Sequence, residues 1–414
     1  MIPIIRPWMD EAEAAAAARP ILSGWITQGP EVAAFEKEFA HAVGAPHACA
    51  VANCTAALHL ALLGVGVGPG DEVVTVSHSY IATANSIRYT GALPVFVDVD
   101  PATFNLVPSQ VEAAIGPRTR AILCVHQIGM PCDLEALVAI SRRHGVPLVE
   151  DAACAAGSEI LWDGRWERIG KPHGDVACFS FHPRKILSTG DGGMLTTRDA
   201  ALDARFRRWR QHSMSVPDTI RHASGQVIFE SYPEIGYNYR MTDIQAAVGR
   251  EQLKRLPQAV GRRRELAARY RELLASVPSA IPPVEPAYAH SNWQGYCVRL
   301  PETADQKTVM QYMLDAGVAT RRAVMCAHRE PAYQAPGSWK CWNAACEVQD
   351  GPCPSLAESE RAQEHAILLP LFHQITEKEQ QQVVRALGDA IASWRRHSAC
   401  RADTLVSAGE RSSP

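Results

Sequence analysis

Six short runs of almost unbroken apolar, β-favouring residues punctuate the first 250 residues of this chain, with helix-like segments between them. The runs are EVVTV (72–76), PVFVDV (94–99), AILCVH (121–126), PLVED (147–151), DVACFSF (175–181) and GMLTT (193–197). A strand wetted on one face alternates apolar and polar residues, so strands without alternation must be covered on both faces. The segments between them can supply that cover. LEALVAISRRHG (134–145), for example, carries apolar residues at helical spacing and stops at a glycine. Strand, helix and strand in repetition predict an α/β fold with a mainly parallel sheet and right-handed crossovers.

After Gly249 the texture changes. Residues 250–277 read as one or two amphipathic helices with Pro257 near a break, and a proline-rich stretch follows at 278–286. A strand candidate (295–300), a helix (307–317) and a closing helix (377–394) complete the pattern. At 414 residues the chain is too long for one typical domain. The expected division is a large α/β domain over 1–250 and a smaller C-terminal α+β domain over 251–394. The polar, aperiodic residues 395–414 read as a disordered tail.

Lysine and arginine number 41 against 44 aspartate and glutamate, and no basic stripe carries interleaved aromatics, so nucleic acid is not an expected partner. No run reaches the roughly 18 to 20 apolar residues of a membrane helix, and the N-terminus lacks a signal-peptide core. A cytoplasmic protein without membrane association is the expectation.

Most of the twelve cysteines stand singly in apolar runs, among them Cys49, Cys54, Cys124, Cys154, Cys178 and Cys297, and read as buried reduced thiols. Cys326, Cys341, Cys346 and Cys353 fall within 28 residues but form no CxxC pair. They read as incidental thiols of a loop, and no metal is expected.

Three segments could carry chemistry. SFHPRK (180–185) ends an apolar strand and precedes the glycine-rich STGDGG, which places Lys185 at a sheet end where α/β folds bind ligands. A lysine in a partly desolvated pocket gives up its proton more readily and attacks aldehydes. Taken alone, such a lysine is more often a surface charge. VEDAACAAG (149–157) ends a second apolar strand in Glu150 and Asp151, where a carboxylate is poorly solvated and needs a partner, although a helix-capping aspartate is a common alternative. In VANCTAALHLALLGVG (51–66), Asn53, Cys54 and Thr55 open a helix whose free amides suit an anion, as every helix start does.

Together with GWITQGPEVAAFEKEFA (24–40), SYIATANSIRYTGALPVFVDVD (79–100) and GYNYRMTDIQAAVGREQL (236–253), these segments occur in the order found in one family. Over roughly residues 20–390 the chain resembles the DegT/DnrJ/EryC1/StrS sugar aminotransferases, which are fold-type-I enzymes dependent on pyridoxal 5'-phosphate (PLP). The resemblance implies a mainly parallel seven-stranded sheet flanked by helices. It implies that Lys185 binds the cofactor covalently and moves the proton, and that Asp151 partners the pyridine nitrogen. It gives Thr55, the Ala56 amide and Ser180 to the phosphate, and Tyr80 to stacking on the ring. Asn238 would reach the phosphate of a second subunit, which implies a homodimer with shared sites. Trp25, Thr27 and Gln28 would lie near the substrate, as would His328. Arg240, Arg321 and Arg322 are candidates for a carboxylate or diphosphate.

The implied reaction moves an amino group from an amino acid, glutamate foremost, to a nucleotide-linked 3- or 4-keto-deoxysugar. A keto-cyclitol acceptor fits the same motifs. A PLP- or pyridoxamine-dependent sugar dehydratase would carry His in place of Lys185, and a non-catalytic regulator would not need the lysine. Three departures bear on the substrate: Cys154 stands where His or Gln is usual, Val324 where Tyr is frequent, and residues 325–360 are longer and richer in Cys and Trp than usual.

Overall fold

The computed structural model describes the chain except residues 218–219, 222–223, 344, 347–350 and 410–414, and except the side chains of 395 and 397–409. In chain order the strands are β1 (His47–Val51), β2 (Glu72–Val76), β3 (Leu93–Val97), β4 (Thr119–Val125), β5 (Leu148–Asp151), β6 (Glu159–Trp162), β7 (Arg165–Arg168), β8 (Val176–Ser180) and β9 (Gly193–Thr197), then β10 (Ala289–His290), β11 (Tyr296–Arg299), β12 (Arg321–Arg322), β13 (Lys340–Cys341) and β14 (Ala366–Leu369).

The main sheet runs β1-β9-β8-β5-β4-β2-β3-β13. Only β9 is antiparallel to its neighbours. The sheet therefore has eight strands where the sequence suggested seven. The addition is β13, which pairs Lys340 with Val95 and Cys341 with Phe96. An edge strand such as β3 exposes a row of unpaired amides and carbonyls, and β13 covers part of that row. Strand β1 and the β6–β7 hairpin were not foreseen. The hairpin turns on Asp163 and Gly164, both in the left-handed region (φ 47° and 74°), as a two-residue turn between strands requires.

Alternate residues of the central strands enter two separate cores, which is why their sequences do not alternate in polarity. In β8, Ala177 and Phe179 pack with Phe35 and Phe39 on one face. Val176 and Cys178 pack on the other face with Leu58, Ala61 and Leu62 of the helix Cys54–Gly64.

A further core surrounds the β11-β14-β12 sheet and takes in Tyr270, Val309, Leu369 and Leu387, together with Ile2 from the chain start. One helix, Asp243–Leu274, joins the two regions without a break at Pro257. Proline removes one backbone hydrogen bond. Burial on both sides outweighs that loss: Leu256 and Val260 sit in the first core, Leu266 and Tyr270 in the second. Residue 250, the division suggested by sequence, lies inside this helix.

The closing helix runs Glu377–Gly409, past residue 394 where sequence placed its end. Residues 395–408 contain neither proline nor glycine to stop it. The last five residues of the expected disordered tail, 410–414, lie outside the described residues. Among the described residues, no helix is long and apolar enough to cross a membrane.

Candidate active site

Strands β5 and β8 are parallel neighbours, with Asp151 opposite Cys178, so their C-terminal ends lie side by side. Asp151 is buried. Its Oδ2 accepts a hydrogen bond from Thr83 Oγ1 at 2.7 Å and its Oδ1 accepts one from the Ala153 amide at 3.2 Å. Thr83 Oγ1 is in turn 2.7 Å from Ser79 Oγ. Burial pushes the Asp151 carboxyl above its ordinary range, and the bonds from Thr83 and Ala153 only partly offset that. A buried carboxylate met by two neutral donors is under-compensated, and a cationic ring N–H would compensate it.

Lys185 follows β8 on a loop closed by two backbone bonds, Phe181 N–H to Gly192 O at 2.8 Å and Thr189 N–H to Phe181 O at 2.9 Å. Its Nζ donates to Cys154 Sγ at 3.0 Å. Burial pulls the ammonium pKa down, but the charge and hydrogen bond of Cys154, then Cys54 and Asp151, outweigh it and hold the pKa above the ordinary lysine value. The sequence expectation of a readily deprotonated lysine rests on burial alone, which here is offset by these neighbours. The neighbours are acidic, and they stabilise the cation more than the pocket penalises it.

Both backbone segments are fastened by one run from beyond the long helix, Ser291–Asn292–Trp293–Gln294. Asn292 Nδ2 donates to the carbonyls of Cys154 (2.8 Å) and Ala156 (2.9 Å). Gln294 Oε1 accepts from the Ile186 amide at 2.9 Å, and its side-chain amide also reaches the Arg184 carbonyl. Gly129 (φ +91°) makes room, because a Cβ there would sit 2.1 Å from Asn292 Oδ1. Sequence reasoning missed this run, as it missed Thr83 and Ser79. The available signal was a cluster of small and amide side chains just ahead of a strand.

The helix Cys54–Gly64 begins beside this group. Its N-cap Asn53 accepts the Ala56 amide at 2.9 Å, so a phosphate on Ala56 would share that donor with Asn53. Gly193 holds the start of β9 against this helix start, since a Cβ there would lie 2.5 Å from the Asn53 carbonyl carbon. Thr55 and Ser180 are partly buried, and Tyr80 is 60% exposed. These placements, with a buried anion for the ring nitrogen and an amine on the adjacent loop, fit PLP.

Asn238 is exposed, and its backbone bridges Gln211. Gln211 also accepts from the Gln28 side chain at 3.3 Å. Trp25 Nε1 donates to the Gln28 carbonyl at 3.1 Å, and the Thr27 carbonyl accepts the Asp243 amide at 3.1 Å. The Asp243 carboxylate takes the Gly29 and Val32 amides at 2.7 and 3.0 Å. The loop carrying Trp25, Thr27 and Gln28 is thus fixed to the start of the long helix. Arg321 and Arg322 are exposed on β12, and Arg240 is partly buried.

His328, expected near the substrate, lies below the surface. The ring is buried, with Nδ1 2.6 Å from Ser77 Oγ and Nε2 2.9 Å from Glu360 Oε1. Burial holds its pKa below the ordinary value despite Glu360. With both nitrogens hydrogen-bonded it joins the end of β2 to the helix Ala357–His365.

Residues 7–388 match the model of the DegT/DnrJ/EryC1/StrS aminotransferase family. The chain is 38% identical over 343 residues to the spore coat polysaccharide biosynthesis protein SpsC of Bacillus subtilis, covering 82% of this chain and 87% of SpsC. Among solved structures, the aminotransferase TlmJ from Streptoalloteichus hindustanus superposes with a TM-score of 0.83 at 35% identity, covering 95% of this chain and 99% of TlmJ. DesV from S. venezuelae, solved in complex with a ketimine intermediate, gives 0.81 at 34% identity, covering 94% and 98%. The cofactor is pyridoxal 5'-phosphate. The chain belongs to the DegT/DnrJ/EryC1/StrS aminotransferase family and is a transaminase of the fold-type-I, PLP-dependent class.

Proposed function

We propose that the chain carries an amino group from an amino acid, glutamate foremost, to a keto-sugar held on a nucleotide, at C3 or C4 of a deoxysugar, in amino-sugar, polysaccharide or natural-product biosynthesis. The observation that carries the reading is the meeting of Lys185, Cys154 and Asp151 at the ends of β5 and β8, in a chain whose relative SpsC is named for polysaccharide biosynthesis.

When bound, PLP supplies an electron sink for the carbon that exchanges its amine. Lys185 Nζ would hold the cofactor and is the amine placed to take and return the proton at the substrate carbon. Asp151 keeps a proton on the ring nitrogen, and Thr83 and Ala153 keep Asp151 in place. Tyr80 covers the ring, and Thr55, Ala56 and Ser180 anchor the phosphate, which limits motion during proton transfer. Trp25, Thr27 and Gln28 line the acceptor side. His328 links Ser77, after β2, to Glu360.

The active unit is a homodimer in which Asn238 of the partner subunit completes the phosphate site. Supporting this, exposed apolar residues gather just ahead of Asn238: Val227 (85%), Phe229 (92%) and Ile235 (84%). The enzyme works in the cytoplasm on small molecules, without nucleic acid or membrane.

The purified protein should be yellow, bleach with glutamate and regain colour with a nucleotide-linked keto-sugar. A panel of 3-keto and 4-keto sugars then fixes the carbon aminated. Recovery with a keto-cyclitol and with no nucleotide sugar would overturn the acceptor class.

A further inference from the structure

Among the described residues, one group of three potential metal ligands comes together: Cys341, Cys346 and Cys353. Cys346 Sγ is 3.4 Å from Cys353 Sγ, Cys353 Sγ is 3.9 Å from Cys341 Sγ, and all three sulfurs lie within 4.8 Å of one another. The sequence read these thiols as incidental, because their spacing is irregular. Cys326, their neighbour in sequence, stays apart and donates to the Ser359 carbonyl at 3.1 Å.

The spacing of the sulfurs selects the chemistry. Ligands around one zinc ion at the Zn–S length of about 2.3 Å are about 3.8 Å apart on a tetrahedron. The observed 3.4 and 3.9 Å bracket that edge. A disulfide would need about 2.05 Å and would leave one of three thiols unused. An iron–sulfur cluster distributes its cysteines over several irons and spreads them further apart. We propose that Cys341, Cys346 and Cys353 bind one soft divalent cation, zinc, as three thiolates. Solvent takes the fourth position beside the partly exposed Cys341 and Cys346. Binding releases the thiol protons to solvent and leaves the ion without redox chemistry.

The position gives the ion a structural task. Cys341 belongs to β13, the strand that covers the edge of the main sheet, and Trp342 extends the pairing with its amide on the Phe96 carbonyl at 3.0 Å. The Cys353 amide donates to Glu360 Oε1 at 2.8 Å, the oxygen that also meets His328 Nε2. Beneath the sulfurs, Phe96, Tyr333 and Leu356 form a small apolar floor with Trp339 and Trp342. The ion therefore ties the added strand to the Glu360–His328–Ser77 chain. Metal loss frees the loop at both ends.

The full-length holoenzyme, purified with reductant and without chelator, is the sample to test. Elemental analysis is expected to give about one zinc per chain, falling to a trace in Cys346→Ser and in Cys341→Ser but not in Cys326→Ser. Cobalt added to chelator-stripped wild type is expected to produce thiolate-to-metal charge-transfer absorption, a readout that needs no variant and no turnover. Absence of both bound zinc and the cobalt band overturns the proposal. So does a Cys346–Cys353 disulfide found by mass spectrometry in freshly purified protein.

Discussion

Cys154 Sγ sits 3.0 Å from Lys185 Nζ, so the amine that must take up the cofactor carries a thiol as its direct hydrogen-bond partner. The thiol and the nearby acids hold that amine in its protonated form. Only the neutral amine attacks an aldehyde. Cys154→Ala apoprotein should therefore capture PLP several-fold faster near neutral pH, with the pH midpoint of capture moved downward. Stopped-flow absorbance over a pH series measures both. An unshifted profile would show that the contact does not govern the lysine.

Asp151 holds its place through Thr83, and the two should separate by magnitude. Asp151→Asn removes the charge opposite the ring nitrogen and should lower kcat by roughly 10²- to 10⁴-fold, the range set by correct proton placement. Thr83→Val removes one hydrogen bond to a charged group, worth about 1.5–3 kcal/mol or about ten- to hundred-fold. Thr83→Ser should restore most of the loss. Steady-state kinetics with a fixed acceptor checks the order, and equal losses in the two variants would contradict it.

Glu36 is buried between two arginines. It meets Arg207 Nη1 at 2.5 Å, accepts the Ala50 amide at 2.9 Å and pairs with the equally buried Arg210. Breaking one side of a buried pair leaves an uncompensated charge, at about 3–5 kcal/mol. Arg210→Leu leaves Glu36 its partner Arg207, so it should destabilise the protein by less than that amount in denaturant titration. A Glu36→Gln, Arg210→Leu double variant should lose less than the sum of its singles.

His78 gives a pH signature. Both ring nitrogens are buried without a hydrogen-bond partner among the described residues, and burial, with a smaller push from Arg299, drives its pKa down to about 3. A depressed folded-state pKa means that the unfolded chain takes up the proton first. The stability is present above the unfolded value near 6.5 and is lost as pH falls toward 3. The slope for one such group is about 1.4 kcal/mol per pH unit. Denaturation midpoints of wild type and His78→Phe at neutral pH and at pH 5 should diverge accordingly, with the variant less acid-sensitive. Parallel curves would refute the assignment.

The architecture was legible in the sequence because the central strands are covered on both faces, and that requirement is written locally as unbroken apolar runs. EVVTV and GMLTT correspond residue for residue to β2 and β9. Asp151 and Lys185 could be picked out for the same reason, since they stand at or just after the end of such a run, while the helix start at Cys54 was marked by Asn53, Cys54 and Thr55 ahead of its apolar residues. Strand β1 was hidden because HACAV is short and alanine-rich, and β13 because two residues carry no period at all. Pro257 suggested a break because a missing amide is a local fact, while the two cores that overrule it are assembled from distant segments.

Local pattern is enough to fix the layered α/β plan and which residues stand at the strand ends. What those residues face depends on packing between distant segments. Cys154 lies against Lys185 across 31 positions, His328 turns inward to Glu360, and Asn292 and Gln294 arrive from beyond the long helix to hold the site. Long-range contacts of this kind depend on how whole elements pack, and no window along the chain contains that information.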